Sequence, residues 1–258
     1  MLLEGKKALI TGARRGIGRG IALALAEQGC DIGLNDIEHD ESADRTIGIV
    51  GETGRKCTFT VADISKGDQV NALFDGFLAE HGRIDILVNN PYWSKNMPFM
   101  EITEDVWDRT MEVSLKGYFL CSQRAAKEMI RQETGGRIVS VSSIHAVRVW
   151  ETDTAYGVAK AGVIRLTMSM ARDLAGVGIT ANAIAPGWID SRELPPEREN
   201  ERAQRDYGAN ALSSIPSRRI GVPNDIAQAV VFLCSPMGDY VNGTCLTVDG
   251  GFLAHGNT

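Results

Sequence analysis

The sequence contains no long apolar run. No stretch approaches the roughly eighteen consecutive apolar residues that a membrane-spanning helix needs. The first ten residues hold an apolar strand that is interrupted by Glu4, Lys6 and Lys7. An export signal would instead have a basic start followed by an uncharged apolar run. We therefore expect no membrane span, no export signal and a cytoplasmic location.

Paired cysteines and a surplus of basic residues are also missing. The 5 cysteines are scattered without C-x-x-C spacing, so the sequence predicts neither a disulfide framework nor a metal site. Acidic residues outnumber basic ones, 33 to 27, and the formal net charge of −6 argues against a nucleic-acid or membrane partner. The 258 residues are 43% hydrophobic and alternate between strand and helix patterns, which predicts one α/β domain over residues 1–258.

Tyr156 and Lys160 form the first candidate site. On a helix, side chains at i and i+4 share one face, so the phenol and the ammonium would lie together. A nearby cation lowers the pKa of a phenol, which would let Tyr156 act as a general base or acid near neutral pH. Ser143 follows the apolar run 137–142, which reads as a buried strand, and its hydroxyl could bond the oxygen whose proton Tyr156 moves.

A second candidate site lies near the N-terminus. Residues 7–18 read as a strand, a glycine turn and the start of a helix, and the glycines would let backbone N–H groups approach a pyrophosphate. Asp36 ends the next strand, where a dinucleotide-binding fold places an acidic side chain against the ribose hydroxyls. A carboxylate there repels a 2′-phosphate, so we predict NAD as the cofactor in preference to NADP.

The glycine motif T-G-x-x-x-G-I-G at 11–18 and the Y-x-x-x-K motif at 156–160, with Ser143 in register, resemble the short-chain dehydrogenase/reductase family. The resemblance covers essentially the whole chain. It implies a single-domain α/β fold with a doubly wound parallel sheet of seven strands, in the order 3-2-1-4-5-6-7, and helices on both faces. It also implies a homo-oligomer, either a tetramer or a dimer.

The resemblance further implies reversible hydride transfer between NAD and a secondary alcohol or hemiacetal carbon. In the oxidising direction Tyr156 removes the hydroxyl proton, Ser143 orients the oxygen, and Lys160 lowers the tyrosine pKa and bonds the nicotinamide ribose. Arg15 complicates the cofactor prediction, because family members that use NADP often carry a basic residue there. The positions that the resemblance and the glycine turn assign to cofactor binding are Gly12, Arg15, Gly16, Ile17, Gly18, Asp36, Asp63, Ile64, Asn90, Tyr156, Lys160, Pro186, Gly187, Ile189 and Ser191.

Two segments depart from the family pattern. The family's N-N-A-G reads Asn-Asn-Pro-Tyr at 89–92, so Tyr92 should place a ring close to where cofactor and substrate meet. Ser114 stands where the family has a catalytic asparagine that holds a water in the proton path from the lysine. Because serine is shorter, we assign it the same role with a slowed proton relay.

The substrate residues are predicted from composition around the pocket. Trp93, Trp150 and Trp188 fall in the three segments that should rim it, with His145 and Arg148 among them. Flat aromatic faces interleaved with hydrogen-bonding groups suit a sugar ring, and the cations allow an acidic or sulfonated substituent. The leading hypothesis is a sugar or polyol dehydrogenase with a small-molecule substrate, under a lid at about residues 188–217.

Two alternatives stay open. A 3-oxoacyl-acyl-carrier-protein reductase would more often use NADPH and show a basic docking face. A non-catalytic NAD-binding protein would fit Ser114 and Tyr92, although Ser143, Tyr156 and Lys160 are all retained.

Overall fold

The computed structural model of the protein describes residues 1–192 and 212–254. Strands and helices alternate along them, as the sequence pattern predicted. The strands are β1 (Lys7–Thr11), β2 (Asp31–Asp36), β3 (Cys57–Val61), β4 (Ile86–Asn89), β5 (Gly136–Val141), β6 (Ile179–Pro186) and β7 (Cys245–Val248). The helices are α1 (Gly16–Glu27), α2 (Glu41–Gly51), α3 (Gly67–His81), α4 (Glu104–Met111), α5 (Gly117–Gln132), α6 (Thr154–Leu174) and α7 (Pro223–Cys234).

The strands form one parallel sheet in the order β3-β2-β1-β4-β5-β6-β7, which confirms the predicted fold. All carboxyl ends of parallel strands meet at one edge of the sheet. The order reverses between β1 and β4, so the loops that follow these two strands diverge and leave a crevice between them. The candidate residues of the sequence lie along this edge.

Helices cover both faces because neighbouring side chains of a strand point to opposite sides of the sheet. In β1, Ile10 packs into the core that holds α1 and α7. Its neighbour Leu9 packs into the opposite core, with α3, α5 and α6. Among the described residues, no helix is long and apolar enough to cross a bilayer.

The helical segment that begins after residue 103 is interrupted. It begins at Thr103, whose hydroxyl accepts a hydrogen bond from the N–H of Val106 at 3.4 Å and caps α4. A π-helical turn, Glu112–Lys116, then separates α4 from α5. Such turns hold one extra residue and occur frequently at functional sites. Ser114 lies inside this turn.

The predicted lid at 188–217 falls largely outside the described residues, since 193–211 are not among them. On its described side, Ile215 is buried and packs with Ile144 and Phe252.

Candidate active site

Ser143 and Tyr156 meet at the carboxyl end of β5. Ser143 comes two residues after the strand, and its Oγ accepts a hydrogen bond from the N–H of His145 at 3.2 Å. Tyr156 lies in the first turn of α6, close enough to Ser143 for that side chain to lower the pKa of its phenol in part. The structure thus brings together the two hydroxyls that the sequence placed in one site.

Lys160 lies one turn further along α6 and is almost fully buried. Its Nζ donates to the carbonyl of Val141 at 2.8 Å and to the hydroxyl of Tyr118 at 3.1 Å. The same Nζ is 5.8 Å from the ring centroid of Tyr156. Lys160 therefore shares a face with Tyr156, as predicted. Its hydrogen bonds, however, go to Val141 at the end of β5 and to Tyr118, which the sequence analysis missed.

The pKa values of this pair correct one prediction. Burial raises the pKa of Tyr156 to about 12, although the hydrogen bond with Ser143 lowers it in part. Burial also lowers the pKa of Lys160 to about 7. The sequence predicted that Lys160 would lower the tyrosine pKa. The net pKa of Tyr156 instead lies above its ordinary value, because burial outweighs the opposing effect of Ser143.

Ser114 holds the loop that follows β4. It is fully buried, and its hydroxyl donates to the carbonyl of Trp93 and accepts from the N–H of Trp93, each at 3.2 Å. A proton-relay role for Ser114 stays a prediction, and this geometry does not favour it. On the same loop, the Tyr92 ring lies 5.6 Å from that of Tyr156, edge to face, which places an aromatic ring at the site as expected.

The crevice between β1 and β4 is shaped by glycine. Gly12 and Gly16 have φ values of +64° and +59°, which disfavour any other residue. A Cβ on Gly18 would lie 2.8 Å from the Cα of Ala13, and one on Gly12 would lie 2.7 Å from the Cβ of Pro91. Asn90 closes this loop by donating its side-chain amide to the carbonyl of Gly12 at 2.7 Å. A bare backbone at the start of α1 is the arrangement that a dinucleotide pyrophosphate requires.

Asp36 ends β2 beside this loop. One of its carboxylate oxygens accepts from the N–H of Arg14 at 3.2 Å, and the other from the N–H of Ile37 at 2.8 Å. The Arg14 guanidinium in turn lies among the carboxylates of Asp36, Glu38 and Asp40. Sequence patterns pointed to Arg15, which is exposed, and missed Arg14 with its acidic surroundings.

The remaining cofactor positions flank the crevice. Asp63 follows β3. Burial alone would raise the pKa of its carboxyl, but hydrogen bonds from Ser65 and Arg109 outweigh burial and lower it. Ile64 is buried against Gly117, and Ile17 packs against the core of α1.

The segment after β6 approaches the glycine loop from the other side. Pro186 is the last residue of β6, and the N–H of Gly187 donates to the carbonyl of Val248 at 3.0 Å. Ile189 forms an isolated parallel bridge with Gly221. Ser191 lies against the glycine turn: a Cβ added to Gly16 would be 3.3 Å from the Cβ of Ser191. The structure therefore brings Asn90 and Ser191 against the glycine loop, and cofactor binding by the other positions stays a prediction.

A series of aromatic rings runs away from Tyr156. The His145 ring lies 5.4 Å from it, edge to face, and stacks on Trp150 at 4.1 Å. The ring centroids of Trp150 and Phe252 are 5.8 Å apart, and those of Phe252 and Trp188 are 6.2 Å apart. In both pairs the rings are nearly parallel. We call these rings the aromatic wall. Phe252 was missed, because nothing in its local spacing points to the pocket, and Trp93 makes no ring contact with the wall within the described residues.

Arg148 lies on this wall. Its guanidinium carbon is 4.8 Å from the ring centroid of Phe252 and 5.5 Å from that of Trp150, within the range of a cation–π interaction. In residues 1–192 and 212–254, no carboxylate pairs with Arg148. A cation that is held on flat rings with its hydrogen-bond donors available suits an anionic group on a bound molecule.

Comparison with known proteins decides the family. A family model described as enoyl-(acyl carrier protein) reductase matches residues 12–253. A 2-dehydro-3-deoxy-D-gluconate 5-dehydrogenase of Escherichia coli (strain K12) is 40% identical over 253 residues, which cover 98% of this chain and 97% of that protein. The chain belongs to the short-chain dehydrogenase/reductase family.

Other members of the short-chain dehydrogenase/reductase family are similar over nearly the same length. A 3-oxoacyl-(acyl-carrier-protein) reductase of Staphylococcus epidermidis is 37% identical over 246 residues, 95% of this chain and 98% of that protein. A crystal structure from Agrobacterium tumefaciens, provisionally a 2-deoxy-D-gluconate 3-dehydrogenase with bound NADP, has a TM-score of 0.85 and 36% identity, covering 98% of both chains. As a family member, the protein is an oxidoreductase that interconverts alcohols and carbonyl compounds with a nicotinamide cofactor.

Proposed function

We propose that this short-chain dehydrogenase/reductase oxidises a secondary alcohol or hemiacetal carbon of an acidic sugar derivative, reversibly, with NAD as its cofactor. The observation that carries the proposal is the position of Arg148 on the aromatic wall that also holds His145 and ends at Tyr156. A sugar acid whose hydroxyl reaches Tyr156 would lie along flat rings and direct its carboxylate or sulfonate at Arg148.

The chemistry follows from the hydroxyl pair. A nicotinamide cofactor, when bound, accepts or supplies the hydride. Tyr156 carries the substrate proton, and Ser143 hydrogen-bonds the same substrate oxygen and holds it in place. With a pKa of about 12, the phenol of Tyr156 is protonated near neutral pH and suits proton donation in the reducing direction. In the oxidising direction Lys160 supports the phenolate as a cation.

The crevice favours NAD. Asp36 lies beside the glycine loop, and Glu38 and Asp40 add negative charge around Arg14. A 2′-phosphate would meet carboxylates there, while ribose hydroxyls could donate to them. The NADP-bound relative shows that the family also accepts the phosphorylated cofactor, so both cofactors belong in the test.

The relatives support an acidic sugar and leave one competitor. The name of the Escherichia coli relative denotes a dehydrogenase of a keto-deoxy sugar acid. The reductase of Staphylococcus epidermidis, at 37% identity, supports a 3-oxoacyl thioester as the second candidate substrate.

Reduction and oxidation of the cofactor, followed by absorbance, tests these substrates directly. We would assay aldonic, uronic and sulfonated sugars, neutral aldoses, polyols and acetoacetyl-coenzyme A with each cofactor. We expect the highest kcat/KM for a sugar acid with NAD. Arg148→Gln should lower that value roughly 10- to 100-fold, since a hydrogen bond to a charged group contributes about 1.5–3 kcal/mol, and Arg165→Gln on the exposed face of α6 should not. The highest kcat/KM for acetoacetyl-coenzyme A with NADPH would overturn the proposal.

Tyr156→Phe tests the proton carrier itself. The variant keeps the ring and loses the hydroxyl, so we expect turnover to fall about 10²–10⁴-fold with cofactor binding retained. Cofactor binding would be followed by fluorescence titration. Equal turnover in the variant and the parent would remove Tyr156 from the mechanism.

A further inference from the structure

Tyr118 is a fully buried tyrosine that contacts Lys160 of the candidate site. It lies in α5, four residues after Ser114. Its hydroxyl accepts a hydrogen bond from Nζ of Lys160 at 3.1 Å and can donate to the carbonyl of Pro91 at 2.9 Å or of Val141 at 3.2 Å. One phenol oxygen thereby joins α5, α6, β5 and the loop after β4.

Lys160 needs such a partner. An ammonium group has three N–H donors and must satisfy them when it is buried. Within the described residues, the carbonyl of Val141 takes one donor and the hydroxyl of Tyr118 takes another. Nζ also lies 4.8 Å from the centroid of the Tyr118 ring, so the tyrosine offers the cation both its oxygen and its π face.

We propose that Tyr118 is a positioning residue for Lys160, whose phenol oxygen holds the ammonium group in place behind Tyr156. The proposal rests on the proposed function, in which Lys160 supports Tyr156. Ser114 cannot serve Lys160 in the same way in this structure, because its hydroxyl bonds the backbone of Trp93 on both sides. Burial raises the pKa of Tyr118 well above its ordinary value, so the phenol remains protonated and keeps both its donor and its acceptor.

The charges around Lys160 are few. Tyr156 lies in the first turn of α6 and Asp153 directly precedes that helix, while on α5 Cys121 neighbours Tyr118. The loop after β4 contributes Tyr92, whose charge would act on Tyr156. In the part of the chain that the structure describes, no carboxylate contacts Nζ. Removing the Tyr118 hydroxyl therefore leaves the Val141 carbonyl as the fixed partner of the ammonium and should favour neutral lysine.

Tyr118→Phe tests the contact by measuring the pKa of Lys160. We would label lysine Cε with ¹³C, titrate its NMR resonance and assign Lys160 with Lys160→Met. The Lys160 pKa should fall by about one unit in Tyr118→Phe, because one hydrogen bond to the charged form is lost. The alkaline limb of the kcat/KM profile for oxidation should move to lower pH by a similar amount.

Ser142→Ala is the matched control. Ser142 is buried, and its Oγ donates at 2.8 Å to the backbone carbonyl of Lys160, not to the ammonium. This variant should lose a buried hydrogen bond, and melt earlier, without moving the Lys160 pKa. An unchanged Lys160 pKa in folded Tyr118→Phe, or an equal shift in Ser142→Ala, would overturn the positioning role.

The parent protein provides a test that needs no folded variant at position 118. The ¹³Cζ resonance of Tyr118, assigned by replacing each of the other 4 of the 5 tyrosines with phenylalanine, should titrate with the same midpoint as Lys160. A Tyr118 resonance that stays constant while Lys160 titrates would also overturn the proposal. These NMR midpoints need no substrate. A chain without dehydrogenase activity but with the coupled midpoints would therefore refute the proposed function and leave the contact established.

Discussion

Nδ1 of His145 lies 2.7 Å from a carboxylate oxygen of Asp153, which directly precedes α6 and is nearly buried. The same carboxylate oxygen accepts the N–H of Trp150 at 3.3 Å. These bonds place the proton on Nδ1, hold the imidazole flat against Trp150 and leave Nε2 as the nitrogen that a substrate could reach. Asp153 also starts the helix that carries Tyr156, so the imidazole is fixed relative to the phenol.

We predict that His145→Gln raises KM for the sugar substrate about tenfold and changes kcat less, because it removes a substrate contact and keeps Tyr156. Asp153→Asn should have a smaller effect in the same direction, since the amide can still accept from the imidazole. Steady-state kinetics of both single variants and the double variant would measure this. In the double variant Asp153→Asn should add nothing to the loss. Fully additive effects would show that Asp153 does not act through His145.

Cofactor choice depends on Asp36. Asp36→Ala removes the carboxylate nearest the glycine loop, so the ratio of kcat/KM with NADP to that with NAD should rise at least about tenfold, given that like-charge contacts cost several kcal/mol. Glu38→Gln is the comparison: it also removes a negative charge from beside Arg14, but from a side chain that is 59% exposed, so it should raise the ratio less. A parent enzyme that already prefers NADP would contradict the assignment and give Arg15 the greater weight.

Ser114→Asn should destabilise the protein. The serine is fully buried with its hydroxyl bonded to both backbone groups of Trp93, so a larger amide should overpack the site by about 1–3 kcal/mol. Thermal melting of Ser114→Asn beside Ser169→Asn, a partly exposed position on α6, would measure the difference. A higher kcat with unchanged melting would instead restore the proton-relay role to position 114.

Acid stability should reflect His81. This histidine is 8% exposed, stacks on Phe77 and bonds the Thr58 hydroxyl at 2.9 Å. Burial, together with the cation of Lys56, lowers the pKa of His81 from 6.5 to about 4. The unfolded chain therefore binds the proton first, so stability is fully present above pH 6.5 and declines as pH falls towards 4.

Protonation of His81 should lower the free energy of unfolding by at most about 3 kcal/mol. Urea unfolding between pH 7 and pH 4.5 would measure it, and His81→Phe should flatten the profile. Lys160, with a pKa of about 7, is mostly protonated in both states across the lower part of this range and adds little slope. Parallel profiles for parent and variant would show that His81 does not control acid stability.

The family resemblance predicted the sheet order, whereas the strands, the glycine loop and the position of Asp36 could be predicted because each depends on a local pattern. Strand periodicity, glycine spacing and the residue at a strand end are readable within a few positions. The pKa of Tyr156 was predicted in the wrong direction, because it depends on how deeply tertiary packing buries the phenol. The Tyr118 hydroxyl that contacts Lys160 is 42 positions away in the chain and was missed for the same reason. Phe252 and the acidic surroundings of Arg14 are likewise products of tertiary packing.

The π turn at Glu112–Lys116 sets the rotational phase of α5 relative to α4. An α-helix turns about 100° per residue, so one residue more or fewer at this point rotates everything that follows by that angle. Deleting a residue from the turn would allow one continuous helix, and α5 would remain helical while Tyr118 swung away from Lys160. Insertions and deletions here should therefore be rarer in evolution than substitutions, because the length of the turn, and not only its sequence, decides which side chain meets the lysine.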